Sequence, residues 1–114
     1  MICPSLSHSC TGREVNPRSF LAILSGMNMT GYGSGKTIKS NSNDHIFVYF
    51  ADHGAPGLLA FPNDEDDLLH AYDLMHTIKG MHKDKKYGKM VLYVEACESG
   101  SMFDGGFLPK DINV

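Results

Sequence analysis

Long apolar runs are missing from this 114-residue chain; the longest, residues 46–51, stops at six, whereas a membrane-spanning helix needs about 20. Basic charge is not in excess either. Ten Lys+Arg face 13 Asp+Glu, giving a formal net charge of -3 and a pI of about 6.0. With only 20% charged residues, no basic stripe of the kind nucleic-acid binding needs is present. Neither a membrane nor a nucleic acid is therefore an expected partner. Cysteine is scarce: three residues are too few, and odd in number, for a disulfide scaffold. Cys3 and Cys10 flank His8, but tight zinc sites take four ligands in paired short spacings, so no metal is expected. Residues 1–10 have no basic n-region and no apolar h-region, so they do not read as a signal peptide. Internal repeats and low-complexity tracts are also absent.

What is present is 42% hydrophobic residues arranged in blocks, which excludes a disordered chain. The length fits one domain or a piece of one, enough to bury roughly two-thirds of its unfolded surface around a single core. Residues 16–26 are expected to form a short helix, with Asn16 as N-cap, Pro17 at the first helical position and Gly26 closing the C-terminus. Phe20, Leu21 and Leu24 would be its apolar face. Gly31, Gly33, Gly35 and the Ser/Asn run at 40–43 then read as a loop. Its Gly-x-Gly-x-Gly pattern has no preceding strand and lacks phosphate-loop spacing. Asn28-Met29-Thr30 is a glycosylation sequon, a pattern that often arises by chance.

Two blocks, His45-Ile46-Phe47-Val48-Tyr49-Phe50-Ala51 and Met90-Val91-Leu92-Tyr93-Val94, lack polar alternation and predict parallel strands covered on both faces. Between them, residues 68–83 carry Leu74, Ile78 and Met81 at helical spacing. His70, His76 and His82 recur every six residues, which is no helical repeat, so they are expected at the solvated surface. The acidic run Asp64 to Asp67 reads as a solvated loop favouring a helix N-terminus rather than a calcium site. Strand, helix, strand makes a βαβ unit and an α/β fold.

The chemistry-bearing residues follow the two strands. The first block ends in Asp52-His53-Gly54 and the second in Glu95-Ala96-Cys97-Glu98-Ser99-Gly100-Ser101. Ligands of parallel sheets bind outside the carboxyl ends of the strands. Neighbouring strands about 4.8 Å apart would bring His53 and Cys97 to facing lips of one crevice. A thiol nucleophile and an imidazole acid/base need that proximity. Alone, a strand-end His is commonly a surface residue and a strand-end Cys a small buried hydrophobe. Together, each trailed by glycine, they point to a cysteine–histidine hydrolase. Glu95 precedes Cys97 by two, so strand alternation would put both side chains on one face.

The runs Tyr49-Phe50-Ala51-Asp52-His53-Gly54 and Tyr93-Val94-Glu95-Ala96-Cys97-Glu98-Ser99-Gly100-Ser101-Met102 resemble the legumain, or asparaginyl endopeptidase, family, which includes the plant vacuolar processing enzymes. Phe20 to Leu24, Gly33-Ser34-Gly35-Lys36 and Leu108 to Val114 extend the resemblance over residues 11–114. Caspases share the pattern of His-Gly and Ala-Cys after adjacent strands but differ around the cysteine. The resemblance implies a caspase-like α/β fold with a mostly parallel sheet flanked by helices. It also implies a cysteine endopeptidase that cleaves after Asn and needs no cofactor. Cys97 would be the nucleophile and His53 the acid/base, with the backbone N–H groups of Gly54 and Cys97 forming the oxyanion hole. Glu95 would line the specificity pocket and accept from a substrate Asn amide, and Asp52 would match a residue able to form a succinimide linked to peptide ligation. Peptide or protein substrates with Asn at the cleavage site and cystatin-type inhibitors would be the partners, in a lysosome or vacuole.

Family enzymes begin with a signal peptide, a first strand and a pocket Arg, and continue beyond the last motif with further strands. Residues 1–10 accordingly read as an unmatched leader and 11–114 as a partial peptidase domain, lacking strands at both ends. Two other outcomes follow: an inactive truncated chain serving only as a binding module, or an asparaginyl ligase.

Overall fold

The computed structural model describes residues 10–27, 37–63 and 67–114. The sequon at Asn28, the glycines Gly31, Gly33 and Gly35, Cys3 and His8, and Asp64 to Asp66 lie outside these residues. The fold is α/β. Strands β1 (His45–Ala51) and β5 (Lys89–Glu95) form a parallel pair, in register from His45 opposite Lys89 to Ala51 opposite Glu95. Between them run three short strands and a helix: β2 (Gly54–Ala55), β3 (Leu58–Ala60), β4 (Leu68–His70) and α2 (Ala71–Lys83). Helix α1 (Pro17–Ser25) precedes β1. No helix of the described residues is long and apolar enough to cross a membrane.

Helix α1 forms as its sequence directs. The Asn16 side chain accepts from the Ser19 N–H at 2.9 Å, satisfying one of the amides a helix start leaves without a partner. Pro17 takes the first position, and Gly26 ends the helix in the left-handed region at φ 77°. The chain then returns so closely that the Ile38 carbonyl oxygen lies 2.7 Å from where a Gly26 Cβ would be. Phe20 and Leu24 are buried, while Leu21 is only partly so.

The segment 68–83 is not wholly helical. Leu68–His70 pairs antiparallel with β3, and α2 begins only at Ala71. Here a ladder partner competes successfully with a helix end that lacks a side-chain cap at His70. Farther along, Leu74, Ile78 and Met81 are buried as their spacing predicts, joined by Ala71 and Met75. His70, His76 and His82 are all exposed. The small sheet β2-β3-β4 was not expected; Pro56-Gly57 between apolar residues is the signal that marks the turn of its β2–β3 hairpin.

One core joins these elements. Ile46, Val48 and Phe50 of β1 and Met90 of β5 meet residues of α1 and α2. Phe61 lies between helix and sheet, 5.9 Å from the Phe20 ring and 5.5 Å from that of Phe50. The expectation that both sheet faces are covered fails. β1 alternates exposed and buried along its length. Phe47 and Tyr93 are each 60% exposed on the second face, beside Val91 and Tyr49. Among the described residues the helices cover one face, so the apolar side chains of the other meet water. Residues 108–114 return to the start of β5, where the Tyr87 hydroxyl donates to the Ile112 carbonyl at 2.7 Å and Met90 N–H to that of Asn113 at 2.9 Å.

Two substitutions in α1 test this packing. Gly26→Ala should destabilise by at least about 1–2 kcal/mol, the cost of a left-handed non-glycine residue, with the displacement of Ile38 added. Ser19, buried with an Oγ that has no hydrogen-bond partner among the described residues, is the opposite case, and Ser19→Ala should stabilise by up to about 1 kcal/mol. Urea unfolding midpoints of the two variants should move in opposite directions.

Candidate active site

The site is built from the two segments that leave β1 and β5 at the same end. Pairing runs one residue past the strands, since Asp52 N–H donates to the Glu95 carbonyl at 3.2 Å. Asp52 and His53 are exposed and lead directly into the β2–β3 hairpin. Beyond β5, Ala96 bends the chain and Cys97 lies in a turn, an exposed thiol outside any disulfide.

Gly54 brings the two segments into contact. A Cβ at this position would overlap the Cys97 carbonyl oxygen and stand 3.0 Å from the Ala96 Cβ. Only glycine lets the backbone after His53 rest against the backbone of Cys97. The structure thus brings His53, Gly54 and Cys97 together at the carboxyl end of the parallel pair. Asp52 is there too, its Oδ1 accepting from the His53 N–H at 2.7 Å.

Glu95 is the last residue of β5, so the alternation of side chains along the strand does not extend to Cys97, which sits in the turn. The Glu95 side chain is exposed on the uncovered face, where Tyr49 Oη donates to its Oε2 at 2.9 Å. That hydrogen bond, followed by the carboxylate's charge and then burial, raises the Tyr49 phenol above its ordinary 10.0. Tyr49 and Glu95 sit diagonally across the ladder, where long side chains of neighbouring strands reach each other. Sequence reasoning singled out Glu95 and left Tyr49 as strand filler; the signal was the register itself.

The cysteine turn is also tied down. Glu98 adopts the left-handed conformation at φ 54°, and residues Ser99–Met102 follow as a 3₁₀ helix. Met102 is fully buried. Ser101 Oγ donates to the Glu98 carbonyl at 2.5 Å and accepts from Gly57 N–H at 2.7 Å. Among the described residues, no three His, Cys, Asp or Glu side chains gather in a group that could hold a metal ion.

Residues 4–114 match the peptidase C13 family. The chain belongs to that family. It is 55% identical over 106 residues to the legumain of Bos taurus, covering 91% of this chain and 23% of that protein. The hemoglobinase of Schistosoma japonicum is 52% identical over 103 residues, covering 90% and 23%. The vacuolar-processing enzyme delta-isozyme of Arabidopsis thaliana is 51% identical over 106 residues, covering 91% and 22%. The chain therefore spans about a quarter of the length of these C13 relatives.

The Tyr49–Glu95 contact has a measurable pH signature. Glu95→Gln removes the charge that opposes tyrosinate formation, so the Tyr49 phenol should fall back toward 10.0. The sign follows from a raised folded value: the contact's stabilising contribution is complete below pH 10 and is lost as pH rises through the folded-state titration. Ring-resonance titration of Tyr49 by NMR checks this; identical curves for the parent and Glu95→Gln would refute the coupling.

Proposed function

We propose that this chain carries the catalytic segment of a cysteine endopeptidase that cleaves peptide bonds after asparagine. The observation that supports it most is the in-register β1–β5 pairing, which ends with Gly54 against the Cys97 backbone. It puts a candidate nucleophile and a candidate acid/base on neighbouring chain ends, as acyl transfer needs.

In this reading the Cys97 thiol gives its proton to His53, and Sγ bonds to the carbonyl carbon of the substrate Asn. Charge building on the carbonyl oxygen is met by the N–H groups of Gly54 and Cys97, preorganised donors of the kind that dominate such reactions. The C–N bond then breaks, and the leaving amine takes the proton from His53. Water attacks the resulting thioester and passes a proton to His53, releasing the acid and restoring the thiol. Glu95 accepts from the substrate Asn amide, with one oxygen already held by Tyr49. No cofactor takes part. Protein or peptide substrates with Asn at the cleavage site, and cystatin-type inhibitors, are the partners in this reading. The location in this reading is a lysosome or vacuole, the vacuole being in the name of the Arabidopsis relative.

Peptide ligation is a second reading favoured by one contact. Asp52 Oδ1 already accepts from the His53 N–H, and that nitrogen is the atom that would close a succinimide ring on the Asp52 carboxyl. A non-catalytic binding role is favoured instead by the uncovered aromatic face.

The test uses the full-length protein and an Asn-containing fluorogenic peptide. Cys97→Ala should lower kcat by roughly 10⁴- to 10⁶-fold. Glu95→Gln should retain turnover but reduce the preference for Asn over Ala by about 10- to 100-fold, the worth of a hydrogen bond to a charged group. Equal cleavage of Asn and Ala peptides by the parent protein would defeat the assignment.

A further inference from the structure

We infer that Ser101 is a positioning residue for the Cys97–His53 pair, acting as a hydroxyl strap between the two segments that carry them. This rests on the cysteine peptidase reading above. Ser101 lies four residues after Cys97, and Gly57 four residues after His53. One oxygen serves both sides, accepting from Gly57 N–H at 2.7 Å and donating to the Glu98 carbonyl at 2.5 Å. Ser101 and Gly57 are separated by 44 residues in sequence. The link is therefore tertiary, and no local turn chemistry supplies it.

The strap sits where small shifts matter. Its acceptor, Glu98, is the residue directly after Cys97 and holds a left-handed φ of 54°. A non-glycine residue there persists only where surrounding contacts hold it. Its donor, Gly57, is also held from the other side, since the Gly57 carbonyl accepts from Ala71 N–H at 2.9 Å at the start of α2. Met102, the next residue, is sealed in the core. The hairpin after His53 and the turn after Cys97 are thus pinned to the same rigid body at Ser101, while Gly54 lets them touch.

Without the hydroxyl, the Glu98 carbonyl keeps the Ser101 backbone N–H at 2.9 Å. Among the described residues the Gly57 N–H has no second acceptor, so the connection between the two segments is what breaks. The fold retains its ladder and core, and substrate contacts are untouched. The loss falls on the mutual placement of thiol and imidazole, and hence on kcat.

Four forms of the full-length protein decide the matter: the parent, Ser101→Ala, and the near-isosteric pair Ser101→Thr and Ser101→Val, which differ in the hydroxyl. Ala and Val should lower kcat by about 10- to 100-fold, the scale of an ångström-level misplacement, with KM within about twofold. Thr should recover most of the loss, and Gly57 amide exchange should be slow in the parent and Thr forms and fast in the other two. Unchanged kcat in the Ala and Val forms would overturn the proposal. So would equal impairment of Thr and Val, a change carried mainly by KM, or folding of the Thr form alone, which would make the hydroxyl simply structural. A Cys97→Ala control separates the two failures: turnover that survives it would reject the peptidase reading, while the amide-exchange pattern would still report on the strap.

Discussion

The parallel ladder between β1 and β5 is the constraint on which the remaining structure depends. Because Ala51 faces Glu95 and Asp52 N–H still bonds to the Glu95 carbonyl, both chains leave the sheet at the same level. Had the register slipped by one residue, side chains would have exchanged faces throughout, and Gly54 would no longer meet the Cys97 carbonyl. The same register sets Tyr49 beside Glu95. Core, candidate site and open face are all consequences of that single alignment.

The energetic support for the ladder comes from one side. Ile46, Val48, Phe50 and Met90 are sealed against α1, α2 and Phe61, each large side chain contributing about 1.5–3 kcal/mol by leaving water. On the other face, Phe47 and Tyr93 meet edge-to-face at 5.1 Å yet remain mostly exposed. Such a pair adds about 0.5–1.5 kcal/mol at best. A contiguous apolar strip of this kind marks a surface suited to contact with further protein.

Around the candidate site the polar contacts are short-range and directional. Asp52 caps the amide of the residue beside it, Tyr49 holds Glu95, and the cysteine turn is joined to the hairpin through a hydroxyl. The exposed thiol and imidazole are therefore carried on segments whose backbones are restrained on both sides. In the proposed peptidase reading, rigid support beneath these groups is what acyl transfer would ask of the scaffold, since reacting atoms gain most from being placed before substrate arrives.

Much of this was legible in the chain itself. Local chemistry determined helix α1 with Asn16 and Gly26 at its ends, the two apolar strands, the buried stripe of α2, and the motif residues that trail the strands. Each depends on neighbours within a few positions, so periodicity and turn residues report it directly. Strand β5 ended at Glu95, so its alternation did not reach Cys97, and two further readings went astray where local signals met tertiary competition. Leu68–His70 joined β3 instead of starting the helix, and an unbroken apolar strand kept one face open. What only the tertiary structure decided are the contacts between residues far apart in sequence: Phe61 against Phe20 and Phe50, Tyr49 on Glu95, Gly54 against Cys97 and Ser101 on Gly57. Strand register and the closeness of two backbones are set by how whole elements pack together, which the residues a few positions either side of each partner do not report.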